Sequence, residues 1–380
     1  MQVILTFFTP AKGWHQPLPD LDSSQTLVLV FGEPDHHAFP GVFKSIQTQY
    51  PTSVIAGCAS MAGIFGEHLQ QEGLVVGVIR FAHARLALAE TPLSSPAASR
   101  QAGEYLGLQL QAPDLKGVLL LTDGLNTQGT ELIRGLAAHI DQESVAIVGG
   151  LASDRMAFQA TWVLHNGVPC SGRACGIGFY GEKVVFASQS RDGFRPFGPE
   201  RRITRADNRT IYEIDHRPAL QVYKEYLGEH AQYLPQSALN FPLAIWNSDK
   251  THYAVRVPVA VDEAAQSLGF IADIPSGYQA QFMYGSADYL VDGAEDAVKS
   301  LVAKLPSNTP VLAFTISCAA RQLIMGEDTA QELKTVLENL PNGSQQFGFY
   351  SFGELAPTEY GGGCSHHNAT MTLSLLYERP

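Results

Sequence analysis

The chain has 380 residues, 16% of them charged, and a formal net charge of -12. That sign repels phosphate backbones and anionic head groups, and the densest basic group, Arg201-Arg202 with Arg205, is flanked by acids. Nucleic acid is therefore excluded as the main ligand, and a length beyond the ~250–300 residues at which one core stops growing predicts two domains.

The chain opens on Met1-Gln2-Val3-Ile4-Leu5-Thr6-Phe7-Phe8. With no basic region before the apolar run and no small-residue cleavage site, it reads as a first strand, not a signal peptide. No apolar run approaches the ~20 residues of a membrane-spanning helix, so membrane insertion is not expected. Cys58, Cys170, Cys175, Cys318 and Cys364 form an odd, scattered set with no CxxC pair. That pattern fits a reducing, cytoplasmic setting and argues against a structural zinc site.

From Gly73 onward the elements read clearly. Leu74–Phe81 and Arg85–Glu90 are strands, Ala97–Leu108 has helical spacing, and Gly117–Thr122 is a short, buried strand. Thr130–Ile140 is an amphipathic helix, Ser144–Val148 a buried strand, and Phe158–His165 a strand ending at the turn dipeptide Asn166-Gly167. Arg195-Pro-Phe-Gly-Pro-Glu200 breaks regular structure, and Pro218–Leu227 starts a helix with proline in its first turn. Then Ser267–Ile274 and Gln279–Tyr284 read as strands and Ala287–Lys304 as a long helix. Pro310–Ser317 is a buried strand, Thr329–Leu340 a helix, and Gln346–Gly353 and Thr370–Tyr377 are strands. Both halves follow the order β-β-α-β-α-β-β. The expected class is α/β (mixed α+β), in two similar layered lobes, each a mixed or antiparallel sheet covered by helices. The expected domains are 1–200 and 201–380, joined between Phe197 and Asn208.

Glycine-centred segments close several strands: Gly57–Gly63, Thr122-Asp-Gly124 and Gly149–Asp154. Such backbone turns sharply, and its exposed amides bind anions such as carboxylates. Ser60 and Asp154 are the polar groups expected nearest a ligand there, with plain turn chemistry as the other reading. Gly348–Glu354 places a carboxylate after a buried strand, and Asn368 follows in Gly361–Thr370. A Glu and an Asn so placed could recognise an amino group and a carboxylate together, or simply cap amides and shape a turn. Cys364, His366 and His367 are metal-ligating types, but neighbours on an extended segment point opposite ways. Asp35-His36-His37 matches a phosphoesterase signature without the further Asp/His motifs that chemistry needs. No phosphate loop, GxGxxG turn, GxSxG elbow or HExxH helix is present, and Ser60, Cys58 and Cys318 lack a sequence-adjacent base. Catalysis is not expected. The alternative is a hydrolase or transferase using Cys318 or Glu354.

The motifs resemble those of the FIST family. Gly57–Gly63, Leu119–Gly124, Gly149–Asp154 and Ala174–Phe179 resemble its N-terminal domain. The likeness is densest at Arg191-Asp-Gly-Phe-Arg-Pro-Phe-Gly-Pro-Glu-Arg-Arg-Ile-Thr204, Tyr212–Asp215 and Arg217–Gly228. Phe241-Pro-Leu243, Arg256, Cys318-Ala-Ala-Arg321, Gly348–Glu354 and His367-Asn-Ala-Thr370 resemble its C-terminal domain. The resemblance implies an intracellular sensor of a small molecule, an amino acid among the proposed ligands, that regulates a separate signalling enzyme such as a histidine kinase. Glu354, Asn368 and Arg321 are then expected to line the site, with Ser60 and Asp154. A stand-alone subgroup of haem proteins that sense nitric oxide is similar in size, so haem is the alternative ligand. The histidines beside apolar segments are His83, His139, His165 and His252, with His367 in the family motif, and the resemblance assigns none of them to iron.

Overall fold

The computed structural model describes residues 1–249, 253–306, 309–357 and 363–379. Its framework grows from three buried βαβ units. In the first, Thr26–Gly32 is apolar and wholly buried. It pairs in parallel with Val54–Ala59 across the helix Pro40–Gln49, which starts on a proline. Leu74–Arg80 returns antiparallel to Thr26–Gly32, and Gln2–Thr9 pairs on its far side. The second unit repeats this: Leu115–Thr122 parallel to Ala146–Leu151 across Gly129–Ala137, Arg173–Tyr180 antiparallel, then Arg85–Pro92 outside it. In the third, Leu312–Cys318 lies parallel to Gln345–Ser351 across Ala319–Met325 and Thr329–Glu338. Met371–Glu378 is antiparallel to it, and Val184–Arg191 lies outside.

The two like-ordered halves read from the sequence map onto the second and third units, each a mixed sheet covered by helices, but Leu74–Arg80 and Val163–His165 lie in the first unit's sheet and Ser267–Phe270 and Gln279–Tyr284 in a further antiparallel sheet. The first unit carries the same strand order but has an α-helix only between its two parallel strands, with none between its outer strand Gln2–Thr9 and Thr26–Gly32. Each unit also sends a hairpin into a neighbour. Gly63–Phe65 with His68–Gln70 extends the third sheet at Gln345–Ser351. Val163–His165 with Val168–Cys170 extends the first at Val54–Ala59. Glu354–Pro357 with Cys364–His367 extends the second at Ala146–Leu151. The exchange is cyclic and crosses residue 200 in both directions.

Between Val184–Arg191 and the helix Ala287–Val302 the chain leaves the third unit and builds an antiparallel inserted sheet. Along the sheet its main strands are Tyr253–Arg256, Leu243–Trp246, Gln279–Tyr284, Arg195–Asp207, Thr210–Ile214, Ser267–Phe270 and Pro258–Asp262. The helix Ala219–Leu227 packs Leu220 and Tyr223 into its core beside Ile203 and Phe282.

Two expectations are corrected. Arg195–Glu200 does not break regular structure; it begins a 13-residue strand whose register shifts between Phe197 and Arg201, where Gly198 and Pro199 lie. Phe158–His165 is a strand only from Val163, because the Asp154 carboxylate gathers the amides of Phe158, Gln159 and Ala160 into a loop. Among the described residues no helix is long and apolar enough to cross a membrane.

Candidate ligand-binding site

The glycine-rich strand ends of the three units meet. Gly57, Gly150 and Gly348 each stand three residues before a buried serine: Ser60, Ser153 and Ser351. Ser60 Oγ lies 2.6 Å from the Ala62 carbonyl and accepts the Tyr350 amide at 3.0 Å. Ser153 Oγ donates to the Tyr350 carbonyl at 2.6 Å and accepts the Met61 amide at 2.7 Å. These hydroxyls join strand ends of different units, so Ser60 serves the junction. The glycines let strands approach: a Cβ on Gly57 or Gly348 would collide with the carbonyl of Val30 or Thr315. Asp154 likewise accepts three loop amides at 2.6–3.0 Å.

Glu354, Asn368 and Arg321 come together around the segment 368–370. Glu354 is fully buried; it accepts the Ser351 hydroxyl at 2.5 Å and the Thr370 hydroxyl and amide at 2.8 and 3.2 Å. Burial pushes its carboxyl up to about 7, against the pull of those donors and of Arg321. Asn368 borders a cavity of ≈ 40 Å³ with Cys318, Phe352 and, from the inserted-sheet region, Val257 and Ile271. That space suits a water or two, not an amino acid. Burial also raises the Cys318 thiol far above its ordinary value, with Glu354 adding to the rise. A thiol so held is a poor nucleophile.

Arg321 is wholly buried. Its Nε and Nη2 bind Glu332 at 3.1 and 2.9 Å, and Glu332 also receives the hydroxyls of Ser317 and Tyr350 at 2.9 and 2.7 Å. The remaining donors reach the carbonyls of Asp192 at 2.6 Å and Leu290 at 2.8 Å. Arg321 thus ties the start of the inserted region to the helix that ends it.

Directly outside this tie lies a pocket of ≈ 400 Å³, within the range of small-ligand sites. One wall is the chain leaving the third unit: Arg191, Asp192, Gly193, Phe194, Arg195 and Pro196. Opposite stand Ala244, Trp246, Tyr253, Gln281 and Met283 of the inserted sheet, with Glu200. Gly293 and Asp296 of the helix Ala287–Val302 complete it. Gly193 has φ 79°, and a Cβ there would strike the Tyr289 carbonyl; one on Gly285 would strike the Phe194 ring. Asp192 accepts the Phe194 amide at 2.8 Å and the Tyr253 hydroxyl at 3.1 Å. Burial raises its pKa against those bonds and the nearby Arg321 and Arg191. Apolar and aromatic walls, cations and carboxylates therefore face one space.

None of the five expected site residues lines this pocket, though Arg321 supports its floor. Sequence reasoning singled out Arg191–Glu200 as the densest motif but gave it no site role. Trp246 and Tyr253 carry no local signal, since only the antiparallel pairing Trp246↔Tyr253 brings them side by side.

The histidines lie elsewhere. His83 is exposed, His165 Nδ1 is 2.9 Å from Glu90, and buried His367 Nε2 is 3.2 Å from the Ala356 carbonyl. His252 lies outside the described residues. His139 borders an open surface depression of ≈ 450 Å³ lined by Ala112, Leu115, Ile140 and Val145 together with Gln111, Asp141 and Ser144. Among the described residues no group of three His, Cys, Asp or Glu is placed to hold a metal ion.

Fold and pocket together define an α/β ligand-binding protein. The chain belongs to the FIST family: residues 26–217 match the FIST N domain and residues 219–357 the FIST C domain. FIST domains are non-catalytic sensory modules, and this chain carries both the N and the C domain. A stretch of 89 residues is 30% identical to an uncharacterized protein of Methanocaldococcus jannaschii, covering 23% of this chain and 17% of that protein. Among solved structures, cyanuric acid hydrolase from A. caulinodans aligns over 93% of this chain and 90% of its own, at 8% identity and a TM-score of 0.37, a likeness too loose to inform the fold or the site.

Proposed function

We propose that this protein senses a small polar ligand of amino-acid size in the pocket between Asp192 and Trp246, and passes its state to a separate signalling enzyme such as a histidine kinase. One observation carries the reading. The pocket lies where the chain enters and leaves the inserted sheet, at Arg191–Pro196 and next to Met283. A ligand there touches both the three-unit body and the inserted sheet. It therefore favours one relative orientation whenever it binds that orientation more tightly. The mixture of carboxylates, arginines and aromatic rings suits a molecule with both charged and apolar parts. All five cysteines are free thiols, which supports a reducing, cytoplasmic setting.

Haem takes second place, because no described histidine lines the pocket between Asp192 and Trp246. The test is a thermal-shift panel of free amino acids at millimolar concentration. At least one member should raise the melting temperature, as any ligand selective for the folded state must. A panel with no effect would sink the reading.

A further inference from the structure

The pocket's walls point to a narrower ligand class, and this step rests on the sensing role just proposed. We infer that the pocket selects an amino acid with an aromatic side chain, its ring entering a slot over Ala244. Strand register sets the slot out. Ala244, Trp246 and Met283 lie on one face of the inserted sheet, with Gln281 opposite Ala244 and Tyr253 opposite Trp246. Leu243, Ile245 and Phe282 alternate with them and fill the core on the other face. Trp246 stands two residues from Ala244 along its own strand, and Met283 two residues beyond Gln281 in the other direction, each roughly 7 Å of strand rise away. A short side chain thus sits between two long ones.

The slot's walls are apolar and contiguous. Phe194, Ala244, Trp246 and Met283 are buried in one cluster with Tyr253 packed against it, and all five line the cavity of ≈ 400 Å³. The Phe194 ring closes the Met283 side: a Cβ on Gly285, two residues beyond Met283, would lie 2.2 Å from it. The polar heads on this face are already bonded. Tyr253 donates to Asp192 at 3.1 Å, and Gln281 Nε2 donates to the Gly198 carbonyl at 2.8 Å. A charged ligand side chain pushed in here would lose water without gaining a new partner. An aromatic ring instead meets ring faces and edges and the Met283 thioether, contacts worth more than their buried area. The ammonium and carboxylate common to all amino acids stay at the rim, where Arg195, Glu200 and Asp296 are exposed.

The test uses titration calorimetry on the full chain with L-phenylalanine, L-tryptophan, L-norleucine, L-lysine and L-glutamate. Norleucine fills the slot without a ring; lysine and glutamate bring a charge. Phenylalanine or tryptophan should bind about tenfold or more tightly than each of the other three, a preference of about 1.4 kcal/mol. Trp246→Leu keeps an apolar wall without its ring and should bring the phenylalanine-to-norleucine ratio toward one. Ala244→Leu should fill the slot and weaken phenylalanine about tenfold or more, with denaturant unfolding reporting that the fold is kept. Should that variant unfold, the wild-type panel and Trp246→Leu decide without it. Norleucine, lysine or glutamate binding as tightly as the better aromatic would overturn the inference and leave the sensing role standing. So would a ratio unchanged in Trp246→Leu, or a folded Ala244→Leu that binds phenylalanine like the wild type. Failure of every compound to bind would overturn both.

Discussion

Arg321 and Glu332 form a wholly buried ion pair, 2.9 Å from Nη2 to Oε2, and the same guanidinium holds the Asp192 carbonyl at the edge of the pocket. The charge is thus paired by Glu332 and its other donors are used on the two segments that enclose the inserted sheet.

Removing one side of this pair leaves Glu332 buried and unmatched. Arg321→Met should cost about 3–5 kcal/mol of stability, readable in urea unfolding. Because Asp192 and Leu290 lose their tie as well, ligand affinity should fall even where the variant stays folded. A variant with near wild-type stability would show that the pair is not the anchor described.

Gly193 tests the floor of the pocket. Its φ of 79° and its contact with the Tyr289 carbonyl leave no room for a methyl group. Gly193→Ala should cost about 1–3 kcal/mol and weaken ligand binding, whereas Gly41→Ala, where a Cβ meets nothing within 4 Å, should do neither. Equal effects of the two changes on binding would remove Gly193 from the site.

Ser60 and Ser153 separate a structural junction from a ligand site. Each hydroxyl bonds the backbone of Tyr350 in another unit. Ser60→Ala should leave the buried Tyr350 amide short of its partner and cost about 1–3 kcal/mol in denaturant unfolding. Ligand affinity, measured by calorimetry, should stay unchanged; a large loss there would return Ser60 to the site.

Glu354 gives the pH dependence its sign. Its carboxyl is raised from 4.5 to about 7 in the folded protein, so between those values the folded state holds the proton more often than the unfolded chain does. Its contribution is full below about 4.5 and falls as pH rises to about 7, a loss of about 3 kcal/mol. Glu354→Gln lacks this proton. The stability of the wild type relative to the variant should therefore decline across that window and level off above it. A flat difference between pH 4.5 and 7 would contradict the buried carboxyl described.

Much of the framework is legible in the sequence. The apolar runs at Leu119 and Phe314 mark buried strands, and the family motifs mark the segments that meet at the unit junctions. The hairpin exchange is not legible, because nothing in Gly63–Gln70 says that its partner strand lies at Gln345–Ser351. The site was obscured for a related reason. Glycine, serine and acid at strand ends resemble ligand cradles, yet Ser60 and Asp154 use those groups on backbone. Glu354 and Arg321 were recognised as special, and both are special through burial. Tyr253 bonds Asp192, and Trp246 lines the same pocket, only when the inserted sheet closes over the chain that enters it.

The central claim is that an amino-acid-sized ligand sits between the body and the inserted sheet. Titration calorimetry of wild type and Trp246→Ala with the amino acid that most stabilises the protein tests it directly. Trp246 lines the pocket from the inserted sheet, so its truncation should weaken binding about tenfold or more, at the ~1–3 kcal/mol expected for an aromatic anchor. Unchanged affinity in Trp246→Ala, with the fold retained, would place the ligand elsewhere and contradict the account.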